Sequence, residues 1–561
     1  MYSEEKCFTP FKANVKNDTL PERFTFPFYY KPHSLAILAT EELQAYLSEQ
    51  PGWDEQFGLS KETNEEEIGK MFGVLVVQDN KEEIGYISAV SGKLFDSNEH
   101  QQLVPPVFDI ITVDGFFNSG IKEVNQLILE INNLTKQPEY IANLKRLKEL
   151  QEAINIDIAE AKKRSTEAKK KRDEIRNEAK ISIFGDEFTI LCTKLKQESA
   201  NKKFYITHLT QHWNEKINAL KEIITPISNK ISSLKNERQA KSASLQQQLF
   251  EQYNFLNANG ETKSLLNIFA ATALQRPPAA AGECAAPKLL HYAFKHNLKP
   301  IALAEFWWGK SPKSEIRKHK NYYPACQGKC KPILGHMLKG LAIDENPMLK
   351  NLGEDIEITT LFEDEHMLVI NKPAELLSVP GVNIQDSVYQ RMKDKYPKAT
   401  GPLTVHRLDM QTSGIMLIAK SLATHKILQK QFIDRSIKKR YLALLDGIVK
   451  DDKGTIDLPL RPDLEDRPRQ LVCYEDGKSS LTHWEVISRN NNTTRIYFYP
   501  VTGRTHQLRV HSAHQLGLNI PILGDDMYGK FADRLYLHAG FIQFTHPVTK
   551  KIMKIEVDPE F

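Results

Sequence analysis

A seam of apolar and small residues between positions 119 and 258 constrains this 561-residue chain more than any other feature. Leu147, Ile154, Ile158, Ala161, Ser165, Ala168, Ile175 and Ala179 recur on three- and four-residue steps, with Gln151 and Arg172 filling the two polar gaps. Leu220, Ile224, Ile227, Ile231 and Leu234 repeat the spacing. Residues three and four apart share one helix face, so each run presents a heptad seam. Ser182 to Phe188 breaks the pattern between the two runs. The spacing predicts a long antiparallel coiled-coil hairpin over 119–258, with alanines that let the arms approach closely. Pro226 lies inside the second arm and predicts a kink there. The first arm carries Lys162, Lys163, Arg164, Lys169, Lys170 and Lys171, balanced by Glu160, Glu167, Asp173 and Glu174. A solvated face and a contact with a protein partner, RNA or the ribosome are both open readings of that balance.

A chain this long exceeds one ordinary core, so several units are expected. Residues 1–118 read as a small α/β accessory domain. Leu35 to Leu47 is helical in pattern, and Phe72–Gln78 and Ile84–Val90 read as strands joined by a turn at Asp79-Asn80-Lys81. Residues 259–352 read as a linker followed by a cysteine- and aromatic-rich module, with Gln275 to Gly282 as a proline-marked joint. Here Cys284, Cys326, Cys330 and His319 could together hold zinc. Reduced thiols packed among Phe306-Trp307-Trp308 and Tyr322-Tyr323 are the simpler alternative. Six cysteines in 561 residues do not make a disulfide scaffold, and reduced thiols suit a cytoplasmic location. No apolar run approaches the roughly 18 residues of a membrane span. The start, Met1 to Lys6, lacks a basic region followed by an apolar core, so no secretory signal is expected. Net charge is only +4, so any affinity for nucleic acid must come from local basic patches.

The chemistry concentrates in residues 353–561. Asp364 to Pro373 reads as a turn and a strand ended by proline. Ser378-Val379-Pro380-Gly381 follows as a loop. The run His406-Arg407-Leu408-Asp409-Met410-Gln411-Thr412-Ser413-Gly414 then places a carboxylate between a cation and a turn, directly before the apolar strand Ile415–Ala419. Such loop mouths beside a sheet are where function collects. Lys439-Arg440-Tyr441-Leu442-Ala443-Leu444 reads as a further strand, at the end of a basic stretch that begins at Lys420. Thr502-Gly503-Arg504-Thr505-His506-Gln507-Leu508-Arg509-Val510-His511 is a second polar run, and Ile522-Leu523-Gly524-Asp525, Tyr528-Gly529 and Leu537-His538-Ala539 follow it. Singly, each of these is more ordinarily a cap, a core tyrosine or a basic surface.

This ordered set resembles the RluA family of RNA pseudouridine synthases, from about residue 364 to the C-terminus. The resemblance implies an α+β chain. Its C-terminal synthase domain would have a mixed, mostly antiparallel sheet, preceded by the helical hairpin and the small α/β region. It also implies isomerisation of specific uridines to pseudouridine in structured ribosomal or transfer RNA, with no cofactor and no metal in the chemistry. Asp409 would be the catalytic carboxylate, as nucleophile or as base toward a ribose proton. Arg504 would pair with it, and Tyr441 would stack on the everted base. Arg407 would fill the gap left by that base, and flipping costs a few kcal/mol in stacking. Lys439, Arg440 and Arg509 would contact RNA. His406 reads as structural. A non-catalytic RNA-binding or ribosome-assembly factor with the same fold is the alternative, and the intact Asp409, Tyr441 and Arg504 favour the enzyme. No membrane partner is expected.

Overall fold

The computed structural model describes residues 7–15, 19–29, 31–60, 67–95, 100, 102–109, 115–183, 185–464 and 466–561. The reading of Met1 to Lys6, and Phe184 in the interrupting segment, lie outside the described residues. Among the described residues, no helix is long and apolar enough to cross a membrane. The chain divides into two units, residues 1–109 with 250–561, and residues 110–249.

The first unit opens with β1 (Thr9–Pro10), α1 (Ser34–Ser48), β2 (Lys70–Gln78) and β3 (Ile84–Val90). β2 and β3 form the expected hairpin, and Asp79 Oδ1 fixes its turn by accepting from the Lys81 and Glu83 amides, both at 2.8 Å. The second unit contains α2 (Phe116–Thr135), α3 (Pro138–Ser182) and nearly all of α4 (Asp186–Gln252). Its pairings run in opposite directions along the arms: Glu123 with Lys241, Glu130 with Lys230, Tyr140 with Ser228, and Asp157 with Trp213. This is the antiparallel hairpin the heptads predict, with the first arm interrupted before Pro138. Leu127, Ile131, Ile231 and Leu234 form its packed core. Ile175 is the exception in the seam, being 43% exposed, and α4 runs through Pro226 as one helix.

Back in the first unit come α5 (Ala285–Lys295), β4 (Lys299–Trp308) and α6 (Cys330–Met337). β4 pairs antiparallel with β2, giving the sheet order β1-β3-β2-β4. Residues 1–118 and 259–352 are therefore not two separate bodies. They share a sheet, and the hairpin is inserted in sequence between its strands. The reason is visible in β4: Ile301, Ala302, Ala304, Phe306 and Trp308 need a partner face, and α1 and β2 supply it. Trp308 is 1% exposed and belongs to this core. Within the expected joint Pro277, Ala281 and Gly282 are buried, while Gln275, Arg276, Ala279 and Ala280 are exposed.

The C-terminal part is built on one nine-stranded sheet. Its strands are β5 (Thr359–Glu363), β6 (Met367–Lys372), β7 (Ser413–Ala419), β8 (Lys438–Leu445), β9 (Lys453–Asp457), β10 (Leu481–Asn490), β11 (Thr493–Pro500), β12 (Leu537–Thr545) and β13 (Ile552–Glu556). The order is β9-β10-β11-β8-β12-β7-β6-β5, with β13 pairing β12. Only β7 and β12 run parallel, so the sheet is mixed and mostly antiparallel. β7 is buried along its whole length. Its alternating side chains serve two cores. Met416 and Ile418 pack with Leu368, Val388 and Met392, while Ile415, Leu417 and Ala419 pack with Leu428, Ile542 and Phe544. Each such aliphatic side chain contributes about 1.5–3 kcal/mol by leaving water. Gly414 sits at φ +123, and a Cβ there would lie 2.5 Å from the Ala539 backbone, so only glycine lets β7 approach β12 at this point.

The segment between β4 and α6 leans on the C-terminal sheet region. Arg317 pairs with Asp466 at 3.4 Å, Asn321 Nδ2 donates to Gly529 O at 2.9 Å, and Val472 N donates to Ser314 O at 3.2 Å.

Candidate active site

Asp409 lies four residues ahead of β7, and its carbonyl accepts from Thr412 N at 3.1 Å to close a turn. The loop carrying it is held from below at three points. Ser378 Oγ accepts from Leu408 N at 3.0 Å and donates to Leu408 O at 2.6 Å. Lys372, fully buried at the end of β6, donates to the carbonyls of Met410, Leu376 and Pro373 at 2.7–2.9 Å. Burial lowers its ammonium to about 7, against the opposing pull of Glu375 and Asp409. Gln411 Nε2 donates to Asp526 Oδ2 at 3.0 Å. Buried and satisfied polar groups of this kind fix one backbone geometry. Among the described residues, the Asp409 carboxylate itself carries no hydrogen bond and faces a cleft of about 870 Å³.

Tyr441 lines the same cleft. It stands at a bulge in β8, where the pairing with β12 slips between Arg440 and Leu442. Bulges re-aim side chains beside active sites. Burial first, and the charge of Asp409 second, push the Tyr441 phenol above its ordinary range. Lys439, two residues earlier on the same strand face, is half-buried in the cleft and is lowered to about 8 by burial. Arg440 lies between them and so points to the opposite face. It stacks on Tyr497 at 4.3 Å and pairs with Glu556, which differs from its expected place against RNA. Arg407 is exposed and lines the cleft.

The two arginines of the 502–511 run stand differently from expectation. Arg504 is exposed on the cleft wall, its Nε donates to Ser479 O at 3.1 Å, and it makes no ion pair with Asp409. Arg509 is 2% exposed and so is not placed to bind phosphate. It lies in the short helix α7 (Gln507–Ala513), where it forms a bidentate pair with Asp525, Nε–Oδ2 2.8 Å and Nη2–Oδ1 2.6 Å. Its Nη2 also reaches Asp526 Oδ1 at 3.0 Å. Burial opposes the Arg509 charge, but Asp525, then Asp526 and Asp409, hold it well above the usual guanidinium range. Arg509, not Arg504, is thus the arginine coupled electrostatically to Asp409, alongside the buried Lys372. Asp526 links Arg509 to the loop carrying Asp409 through Gln411.

The loop before α7 is sewn by Gln507, whose Oε1 accepts from Thr502 Oγ1 and Arg504 N and whose Nε2 donates to Leu481 O and Thr482 Oγ1. His406 accepts from Leu417 N through Nε2 at 3.1 Å and rests on Phe432, and burial lowers it to about 3. His506 shares a hydrogen bond with Tyr528 Oη at 2.9 Å, and Tyr528 Oη accepts from Gln470 N. Lys372, Ser378, Asp525 and Tyr528 fall within the sequence motifs but carry no role on sequence grounds alone. A lysine ending an apolar strand, and an acid following Gly524, were the signals available.

His506, His511 and His538 are buried and lowered to about 4, chiefly by burial. Between pH 6.5 and about 4 the unfolded chain binds protons that these imidazoles refuse in the folded state. Their stabilising share is therefore present above pH 6.5 and lost as pH falls toward 4. Urea unfolding at pH 5 should show a stability lower than at pH 7 by on the order of 1 kcal/mol per histidine. An unchanged midpoint would contradict the buried, neutral assignment.

The sequence model of the RNA pseudouridylate synthase family matches residues 366–514. The dual-specificity RNA pseudouridine synthase RluA of Haemophilus ducreyi is 45% identical over 230 residues, covering 39% of this chain and 99% of that protein. The RluA protein of Yersinia pestis is 44% identical over 209 residues, 36% of this chain and 98% of its own length. That of Escherichia coli K12 is 42% identical over 212 residues, 36% and 94% respectively. Among solved structures, human RNA pseudouridylate synthase domain containing 1 is 25% identical, covering 36% of this chain and 84% of that one, with a TM-score of 0.32. Because the RluA proteins of Haemophilus ducreyi and Yersinia pestis are matched over nearly their whole length at 44–45% identity, the chain belongs to the RluA family and is an RNA pseudouridine synthase.

Proposed function

We propose that Asp409 is the carboxylate that attacks or deprotonates the ribose of an everted uridine, and that the remaining cleft residues divide into a buried support and an RNA-facing rim. The observation that carries this is the Asp409 carboxylate, free of hydrogen bonds among the described residues, opening into the cleft beside Tyr441. The reaction breaks the C1′–N1 bond, turns the base, forms C1′–C5, and exchanges the C5 proton for one on N1. No electrons or phosphoryl groups move. The Tyr441 phenol, raised above its ordinary range, stays protonated near neutral pH. It acts by stacking on the base and by donating a hydrogen bond, not as a phenolate.

Arg509 supports the loop electrostatically. Arg407, Lys439 and Arg504 take the RNA, the first against the duplex gap and the others against phosphate. A phosphate beside Lys439 would repay the burial that lowers its ammonium. Following the dual specificity named for the relatives, the substrates are stem-loops of ribosomal and transfer RNA, since sequence-specific readers favour unstacked bases in loops. The hairpin serves a separate contact, with the ribosome or a protein partner. The exposed Lys162, Lys163, Lys169, Lys170 and Lys171 support this.

Pseudouridine mapping of total RNA from cells lacking this chain tests both levels. Specific sites should vanish and return with the full chain. A chain with residues 110–249 replaced by a short linker should still modify isolated transcripts, because Phe108 and Tyr253 already lie 6.1 Å apart ring to ring. The same chain should fail to restore the sites in cells. No lost sites would refute the substrate assignment, and full restoration by the shortened chain would refute the separate role of the hairpin.

A further inference from the structure

Cys284, Cys326 and Cys330 come from distant points of the chain, yet their Sγ atoms all lie within 4.8 Å of one another. None of them is in a disulfide. Cys284 is the N-cap of α5 and Cys330 is the first residue of α6, so two helix N-termini, the positive ends, meet at the cluster. The Cys330 amide donates to Cys326 Sγ at 3.4 Å, and the Lys329 amide supports the same sulfur. Both arrangements favour thiolates. Zinc–sulfur bonds of ~2.3 Å in a tetrahedron place the sulfurs ~3.8 Å apart, so the observed cluster needs only a small contraction to close on the ion. His319 is not part of it. Its Nδ1 accepts from Gly309 N at 3.0 Å and its ring rests on Trp308.

We propose that Cys284, Cys326 and Cys330 bind one zinc ion through three thiolates, with solvent in the fourth position, and that the ion fixes the segment 309–329 against the synthase domain. Three protein ligands with solvent in the fourth place is a coordination that zinc adopts in catalytic sites, whereas structural sites mostly close with a fourth protein ligand. The segment ends at the Cys326–Cys330 turn and carries Arg317 and Asn321, which reach Asp466 and Gly529. Gly529 follows Tyr528, the partner of His506 in the cleft. The ion would therefore set the back wall of the catalytic region without entering the reaction.

The test uses the full chain. Purified protein should contain about one zinc per chain by plasma mass spectrometry. Cys326→Ser and Cys330→Ser should lose at least about nine-tenths of it, while Cys192→Ser and Cys473→Ser keep it. The stripped natural chain titrated with Co2+ should develop thiolate-to-cobalt charge-transfer absorption. That readout decides alone if the serine variants fail to fold. Metal removal should raise amide hydrogen exchange across 311–330 but not across β7. A natural chain that takes up neither zinc nor cobalt, or serine variants that keep the metal, would overturn the site. Unchanged exchange across 311–330 would overturn the clamping role.

Discussion

Purified Asp409→Ala protein should form pseudouridine about 1000-fold more slowly or not measurably, while binding substrate RNA with nearly natural affinity. The loss is large because, among the described residues, no other carboxylate lines the cleft; Asp525 and Asp526 are committed to Arg509. Folding should survive because the loop is held by backbone groups. Ser378, Lys372 and Thr412 bond to Leu408, Met410 and the Asp409 carbonyl, none of which the substitution removes. Asp409→Asn, nearly the same shape, should be as inactive, which separates charge from packing. Substantial activity in either variant, measured by tritium release from C5-labelled RNA, would refute the assignment.

Arg509→Ala should be the most destabilising single change in the cleft, costing about 3–5 kcal/mol, because it leaves Asp525 buried without its partner. Urea unfolding reads this directly, and the thermal midpoint should fall by roughly 10 °C. Activity should fall with it, since Asp526 then loses the anchor that steadies Gln411. Arg509→Lys keeps the charge but not the two-pronged geometry, so it should recover only part of the stability. Arg504→Ala should behave oppositely, with stability unchanged and KM for RNA raised. A neutral Arg509→Ala alongside a destabilised Arg504→Ala would reverse the roles given to the two arginines.

The contrast between these arginines marks where sequence reasoning stopped. Both lie in one run, and nothing in their neighbours tells which faces inward. That depends on the turn of α7 and on Asp525, which arrives sixteen residues after Arg509. Arg440 stood in the same position: the basic stretch was legible, but strand alternation and the bulge at Tyr441 decide which of its charges enter the cleft. Elements with strong periodicity were legible, namely the hairpin, α1, and the strands β2, β3, β6 and β7. The position of Asp409 on the cleft follows from a motif that has a fixed order with others. The shared sheet of residues 1–109 and 254–338 was not legible, because β4 pairs with a strand on the far side of the whole hairpin in sequence. In sequence Lys372 is only the end of a strand; its three carbonyl bonds depend on Met410, thirty-eight residues later, lying within reach.

That same split sheet has a consequence during synthesis. Strand β2 leaves the ribosome over two hundred residues before β4, so one of its edges stays open for ~10–40 s at ordinary elongation rates. Until then Val74, Leu75, Val76 and Val77 form an uncovered apolar ribbon on the nascent chain, a natural target for holding chaperones and a hazard for neighbouring chains on a polysome. Slowed translation between residues 110 and 298 should therefore lower the yield of folded protein more than slowing anywhere in the synthase domain.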